Sequence, residues 1–260
     1  MDCFVWVAPI GRRSASGEKH NSFVNGIYLA SQVRRLSGPI IAFREYVLRD
    51  FLPAFGDIDA RAEQVVNDYY NRIGAQPAGE YEIDMADLAE AANQHSYDWW
   101  EMMTSLRQTM LNLMAAGLFH LVEQQLATLS RDKLFEESVR DTNIFVVKTW
   151  YWEQLNIDFE TLPSWEVINE IRLVANTVKH GEGGSARDLR AVHSELFTNP
   201  TYTGFYEDAG VSFGERVLGA TLSAPLSGDD FFVTEEILQG YAESAEAFFS
   251  ETAAELLRQG

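Results

Sequence analysis

A chain of 260 residues with 46% hydrophobic content can bury a substantial core as one large or two modest domains, which excludes a disordered chain. Its 20 basic and 39 acidic residues, a net charge of −19, exclude a protein that coats nucleic acid or anionic membranes by general electrostatics, so any RNA contact must be local or shared with a partner. Cys3 is the only cysteine, which rules out an intrachain disulfide and a cysteine-built zinc site. With no basic leader and no apolar run of about 18 residues, the expectation is a cytoplasmic protein without a membrane span.

Phe4, Val5, Trp6 and Val7 form a short apolar cluster that reads as a strand or a packing arm. From Ser22 to Leu36, Phe23, Ile27, Ala30 and Val33 recur at helical spacing until the breakers Ser37, Gly38 and Pro39. A second helix is expected from Ile40 to about Phe51, ended by Pro53 and Gly56. Asp57 or Asp59 caps a third, which runs to Gly74. Residues 75–80 form the clearest internal loop and divide a helical extension, 1–79, from the remainder, 80–260. Between Asp84 and Ser130 there is no proline and only Gly117 among glycines, which predicts one long helix or two nearly continuous ones. Its Trp99, Trp100, Met103, Leu106, Met110, Leu113, Met114, Leu118, Leu121 and Leu126 are expected to form the backbone of the core. Helices are expected to restart at Asp132 to Glu137 and again from Val139 to Leu155. After His193 the chain turns irregular, with room for a short strand or two between Val211 and Phe232. Thr234 caps a last amphipathic helix.

The chemistry concentrates between Ser164 and Leu196. Ser164 is the expected N-cap of a helix whose Val167, Ile168, Ile171, Val174, Ala175 and Val178 share one face. Asn169, Arg172, Asn176, Lys179 and His180 form a separate polar stripe. Arg172, Asn176 and His180 are spaced by four, so they stack along that stripe toward one ligand. Gly181 suits a left-handed helix end, and Ser185 with Asp188 reads as the start of a second helix carrying Arg187, Arg190 and His193. A glycine loop followed by a helix N-terminus favours anions, which makes Lys179, Gly183, Gly184, Ser185 and Arg187 a candidate phosphate-binding set. From Ile171 to His193 the bases Arg172, Lys179, Arg187 and Arg190 outnumber the acids Glu182 and Asp188, opposite to the chain as a whole.

The run IRLVANTVKHGEG resembles the signature helix of the HEPN superfamily (higher eukaryotes and prokaryotes nucleotide-binding domains). Active members carry an arginine, usually followed by a polar residue such as asparagine, and a histidine after four to six intervening residues. Asn176 and His180 meet the second half of that pattern, whereas Ala175 stands in the arginine slot and Arg172 lies one turn earlier. The resemblance is best over Asn156 to Arg190. It implies an all-α, HEPN-like helical bundle, here with an N-terminal helical extension and a C-terminal cap of loops plus one helix. It also implies a homodimer through the 165–180 helix, an RNA substrate, and a toxin–antitoxin or antiphage setting in which a partner or antitoxin restrains the enzyme.

Two functions remain open on these residues. A metal-independent endoribonuclease would use His180 for proton transfer and Arg172 or Lys179 to neutralise charge, with Asn176 orienting the phosphate or the imidazole, and without metal or cofactor. A helical binding or assembly module would keep the fold and lack the cleavage chemistry. No G-x-S-x-G elbow or P-loop spacing is present. His120 and Glu123 sit at i, i+3 but lack further ligands, so a hydrogen-bonded pair is the better reading.

Overall fold

The computed structural model describes residues 18–75, 84–135, 138–200, 221–226 and 228–259, with side chains from Gly26 onward. The architecture is all-α, with no strand among the described residues. The expected arm at Phe4 to Val7, most of the 75–80 loop, and the part of the expected strand region before Thr221 lie outside them.

Helix α1 spans Glu18–Leu36 and α2 spans Gly38–Phe43. The Ser-Gly-Pro cluster turns the chain without ending helical structure: the Ser37 hydroxyl donates to the Arg34 carbonyl at 2.7 Å, and Pro39 sits in the first turn of α2, where its missing N–H costs nothing. The expected single helix to Phe51 is instead α2 followed by wide π-type turns over Arg44–Phe51 and a tight turn over Leu52–Phe55. Asp57, in the left-handed region at φ 58°, leads into α3, Ile58–Gly74.

Helix α4 spans Met85–Leu129, 45 residues, capped by the Asp84 carboxylate accepting from the Ala86 N–H at 2.8 Å. At 1.5 Å per residue it extends for about 67 Å, longer than the rest of the bundle can cover. Its N-terminal half meets α3, where the Ser96 hydroxyl donates to the Ala62 carbonyl at 2.6 Å and the Trp100 indole donates to Asp59 at 2.7 Å. Only the C-terminal half is sunk in the core, through Leu111, Ala115, Leu118, Phe119, Val122 and Leu126. The expected core stripe is therefore corrected: Leu106 and Leu113 are exposed and Trp99, Trp100, Met103 and Met110 only half-buried, because one neighbouring helix cannot enclose both sides of α4.

The helix expected at Asp132 to Glu137 is not formed over its described part. Asp132 draws the Leu134 N–H onto its own carboxylate at 3.0 Å, a local bond that competes with the helical one. The next helix, α5, begins at Ile144 rather than Val139, where the Asn143 side chain accepts from the Phe145 N–H at 2.9 Å, and it ends at Leu155. Then come α6, Trp165–His180, α7, Gly184–Val192, a turn over Ser194–Phe197, and α8, Glu235–Gln259. Thr234 accepts from the Ile237 N–H at 3.2 Å, the expected cap of α8. Helix α8 lies between α1 and α6, and α6 lies against α4.

The described residues between Thr221 and Val233 form no strand. They are fastened to α4 by Asn112, fully buried, whose amide donates to the Pro225 and Phe231 carbonyls at 2.8 Å each and whose oxygen accepts from the Val233 N–H at 3.1 Å. A buried amide with its bonds made fixes this segment more tightly than apolar contact alone. No helix among the described residues is long and apolar enough to cross a membrane.

Candidate functional site

Helix α6 buries Ile168, Ile171, Val174, Ala175, Thr177 and Val178 against the bundle. Ala175, the residue in the arginine slot, is only 1% exposed, so that slot opens into the core. Ser164 does not cap the helix. Its hydroxyl donates to Glu251 at 2.8 Å and its N–H to the same carboxylate at 3.0 Å, which ties the start of α6 to α8.

Arg172 and Asn176 are half-buried, whereas Lys179 and His180 are exposed. Eight residues separate Arg172 from His180, about 12 Å along the axis. Long side chains on a helix lean toward its N-terminus, and Arg172 follows this rule: its Nε donates to Asn169 at 2.9 Å and its guanidinium lies 5.2 Å from the Phe145 ring centre. Burial holds the group below the ordinary arginine range, with Asp188 and Glu123 acting in the opposite direction. The polar stripe thus divides, with Asn176, Lys179 and His180 toward the C-terminal end and the Arg172 head group engaged one turn toward Asn169.

The loop after α6 is held rather than free. Gly181 adopts φ 69°, and a Cβ there would sit 3.5 Å from the Leu222 carbonyl. Glu182 takes both Arg190 terminal nitrogens, at 3.2 and 2.8 Å, and also accepts from the Leu222 N–H at 3.0 Å. The Arg190 and Leu222 hydrogen bonds hold its carboxyl below the ordinary glutamate range. The Arg190 side chain is 6% exposed and lies 4.5 Å from the Phe197 ring centre, so the pair closes the corner against the irregular segment.

Gly183, extended at φ 179°, precedes α7 in the cap position. The expected Ser185–Asp188 start is thereby corrected: Ser185 lies inside the first turn and makes no cap, because Gly183 and Gly184 already turn the chain into the helix. Gly183 and Gly184 have open space above them. The Lys179 and Arg187 side chains are exposed and have no hydrogen-bond or ion-pair partner among the described residues, while Ser185 is half-buried. The candidate phosphate set therefore forms an exposed, locally basic rim.

The opposite border of α6 carries a different constellation. His193, which falls just past the end of α7 rather than within it, places Nε2 3.1 Å from Glu170 and Nδ1 2.9 Å from Glu195. The Tyr241 hydroxyl of α8 donates to the other oxygen of Glu170 at 2.6 Å. Burial, then the hydrogen bond to Glu170 and the charges of Glu170 and Glu195, raise the Tyr241 phenol above its ordinary range. These groups line a cavity of about 310 Å³ with Val167, Leu196, Ile237, Gly240 and Ser244. No sequence signal unites residues so far apart; only the tertiary fold brings Tyr241 to Glu170.

His120 and Glu123 make a hydrogen bond of 3.0 Å, and Glu123 also accepts from the Ile144 N–H at 3.1 Å. The pair serves the start of α5. The histidine is the exposed partner and the glutamate the half-buried one. Among the described residues, no group of three or more histidine, cysteine or acidic side chains is placed to hold a metal ion. No family model, curated protein or solved structure matches the chain.

Proposed function

We propose that this chain is a HEPN-like helical module that engages a protein partner through the α6–α7 corner and does not itself cleave RNA. The observation that supports this reading is the burial of Ala175: the slot that holds an arginine in active members of the family it resembles faces the core here. Arg172, the nearest substitute, is engaged by Asn169 and Phe145. What remains accessible is a rim of Lys179, His180 and Arg187 on a chain of net charge −19. Such a rim suits the acidic surface of a partner protein, with charge complementarity steering the encounter.

The metal-independent endoribonuclease is the second reading, favoured by the placement of Asn176 and His180 one turn apart beside the exposed Lys179. A second copy of α6 across a homodimer would then supply the missing cation. In that chemistry a 2′-hydroxyl of RNA attacks the adjacent phosphate and the P–O bond to the next nucleotide breaks, leaving a 2′,3′-cyclic phosphate; His180 transfers a proton between the attacking hydroxyl and the departing 5′-oxygen, and a cation neutralises the developing charge. An RNA-cleavage assay in EDTA at low salt decides between the two, comparing the purified protein with His180→Ala and Arg172→Ala. The binding reading expects no cleavage that depends on His180. Cleavage abolished by both substitutions would overturn it and establish the endoribonuclease.

A further inference from the structure

We propose that the cavity between α6, the Ser194–Phe197 turn and α8 binds a small organic ammonium ion with an apolar body. This site lies on the border of α6 away from the Lys179–Arg187 rim and stands independently of the partner-binding reading. Its volume, about 310 Å³, reaches the lower end of the range for small-molecule sites. Val167, Leu196 and Ile237 supply apolar walls, and Tyr241 adds an aromatic ring.

The charge of the lining selects the ligand. Glu170 and Glu195 both face the cavity, and among the described residues no lysine or arginine lines it. His193 lies between the two carboxylates, and a single imidazole carries at most one positive charge, so Glu170, His193 and Glu195 together are net negative whichever way the ring is protonated. An ammonium group brings three donors and the compensating positive charge to that lining. Glu195, with a side chain 61% exposed, has the freedom to rotate onto the ammonium. A carboxylate or phosphate ligand would meet like charge, and a neutral one would leave the acids uncompensated.

Gly240 is the second observation. It lies within α8, where glycine is a poor helix former, and a Cβ built on it meets nothing within 4 Å. No neighbouring protein atom therefore requires the missing side chain, while the space it leaves is part of the cavity.

The test is calorimetric titration of the full chain with phenethylamine, phenethyl alcohol and phenylacetate at neutral pH, together with amide NMR of Gly240. Phenethylamine is expected to bind saturably and shift the Gly240 amide; phenylacetate is expected to do neither, and the alcohol to bind at least tenfold more weakly. Glu195→Gln should weaken amine binding about tenfold, the scale of one charge-assisted hydrogen bond. Gly240→Leu should abolish it. If that variant misfolds, Gly240→Ala provides a milder obstruction that should weaken binding while raising Tm. Equal binding of amine and carboxylate, no saturable binding of the amine at neutral or mildly alkaline pH, or wild-type affinity in a folded Gly240 variant would overturn the proposal.

Discussion

The two borders of α6 carry polar groups of opposite sign and opposite origin. On one side Arg172, Asn176, Lys179 and His180 follow from helical spacing, yet the arginine head group is engaged toward Asn169. On the other, Glu170, His193, Glu195 and Tyr241 come from three parts of the chain and meet in one line of hydrogen bonds and close charge contacts beside a cavity. Glu170 and Arg172 are two residues apart, about 200° around the helix, so they cannot address the same ligand. Spacing finds residues that share a face; it does not find which face meets another element.

The sharpest way to break this comparison is to place an arginine where the family pattern has it. Ala175→Arg puts a charge and a long side chain into the core and should cost about 3 kcal/mol or more, read as the shift in urea midpoint. A loss below about 1 kcal/mol would mean that α6 can turn its slot toward solvent.

Next is the clamp beneath the α6–α7 loop. Arg190→Ala removes a buried guanidinium and its packing on Phe197 while Glu182 stays within reach of water, and should cost about 1–2 kcal/mol in urea unfolding. The same pair predicts a pH effect. Folding depresses the Glu182 pKa, so its contribution is present above the ordinary glutamate range and is lost as pH falls through the lower folded value. Glu182→Gln should therefore lower stability at neutral pH and lessen its decline on acidification, measured as urea midpoints across the acid range.

The glycines sharpen the distinction between geometry forced by the turn and geometry merely allowed. Gly181→Ala, at φ 69° and ψ −139°, outside the left-handed helical region, should cost about 1–3 kcal/mol, while Gly183→Ala, extended and unobstructed, should stay within about 0.5 kcal/mol. Thermal denaturation of the two variants side by side reads the difference. Smallest of all, His180→Ala should change stability by less than about 0.5 kcal/mol, because the side chain is exposed and has no hydrogen-bond partner among the described residues.

Periodicity made much of the bundle legible: α4 runs unbroken through Gly117, and α6 and α8 start within a residue of their expected positions. It failed where burial depends on a neighbour far along the chain. Leu106 and Leu113 sit on a helical apolar stripe, but among the described residues no helix arrives to cover them. Ser164 looks like a cap, yet Glu251, 87 residues away, takes its hydroxyl. Ser185 and Asp188 have the spacing of a helix start, but the glycines before them turn first. Within the candidate site, the exposure of Lys179 and His180 was legible from the buried face opposite. The inward turn of Glu182 and the His193 cavity depend on Leu222 and Tyr241, which local sequence does not bring near.

The most direct test of the divided stripe is the NMR signal of the Arg172 side-chain N–H, assigned with Arg172→Lys and followed in Asn169→Ala and Phe145→Leu. The expected result is a slowly exchanging Nε–H signal, displaced by the Phe145 ring and collapsing toward free arginine in each variant. A signal already at the free position and indifferent to both substitutions would contradict the account, since Arg172 would then be available to act with His180.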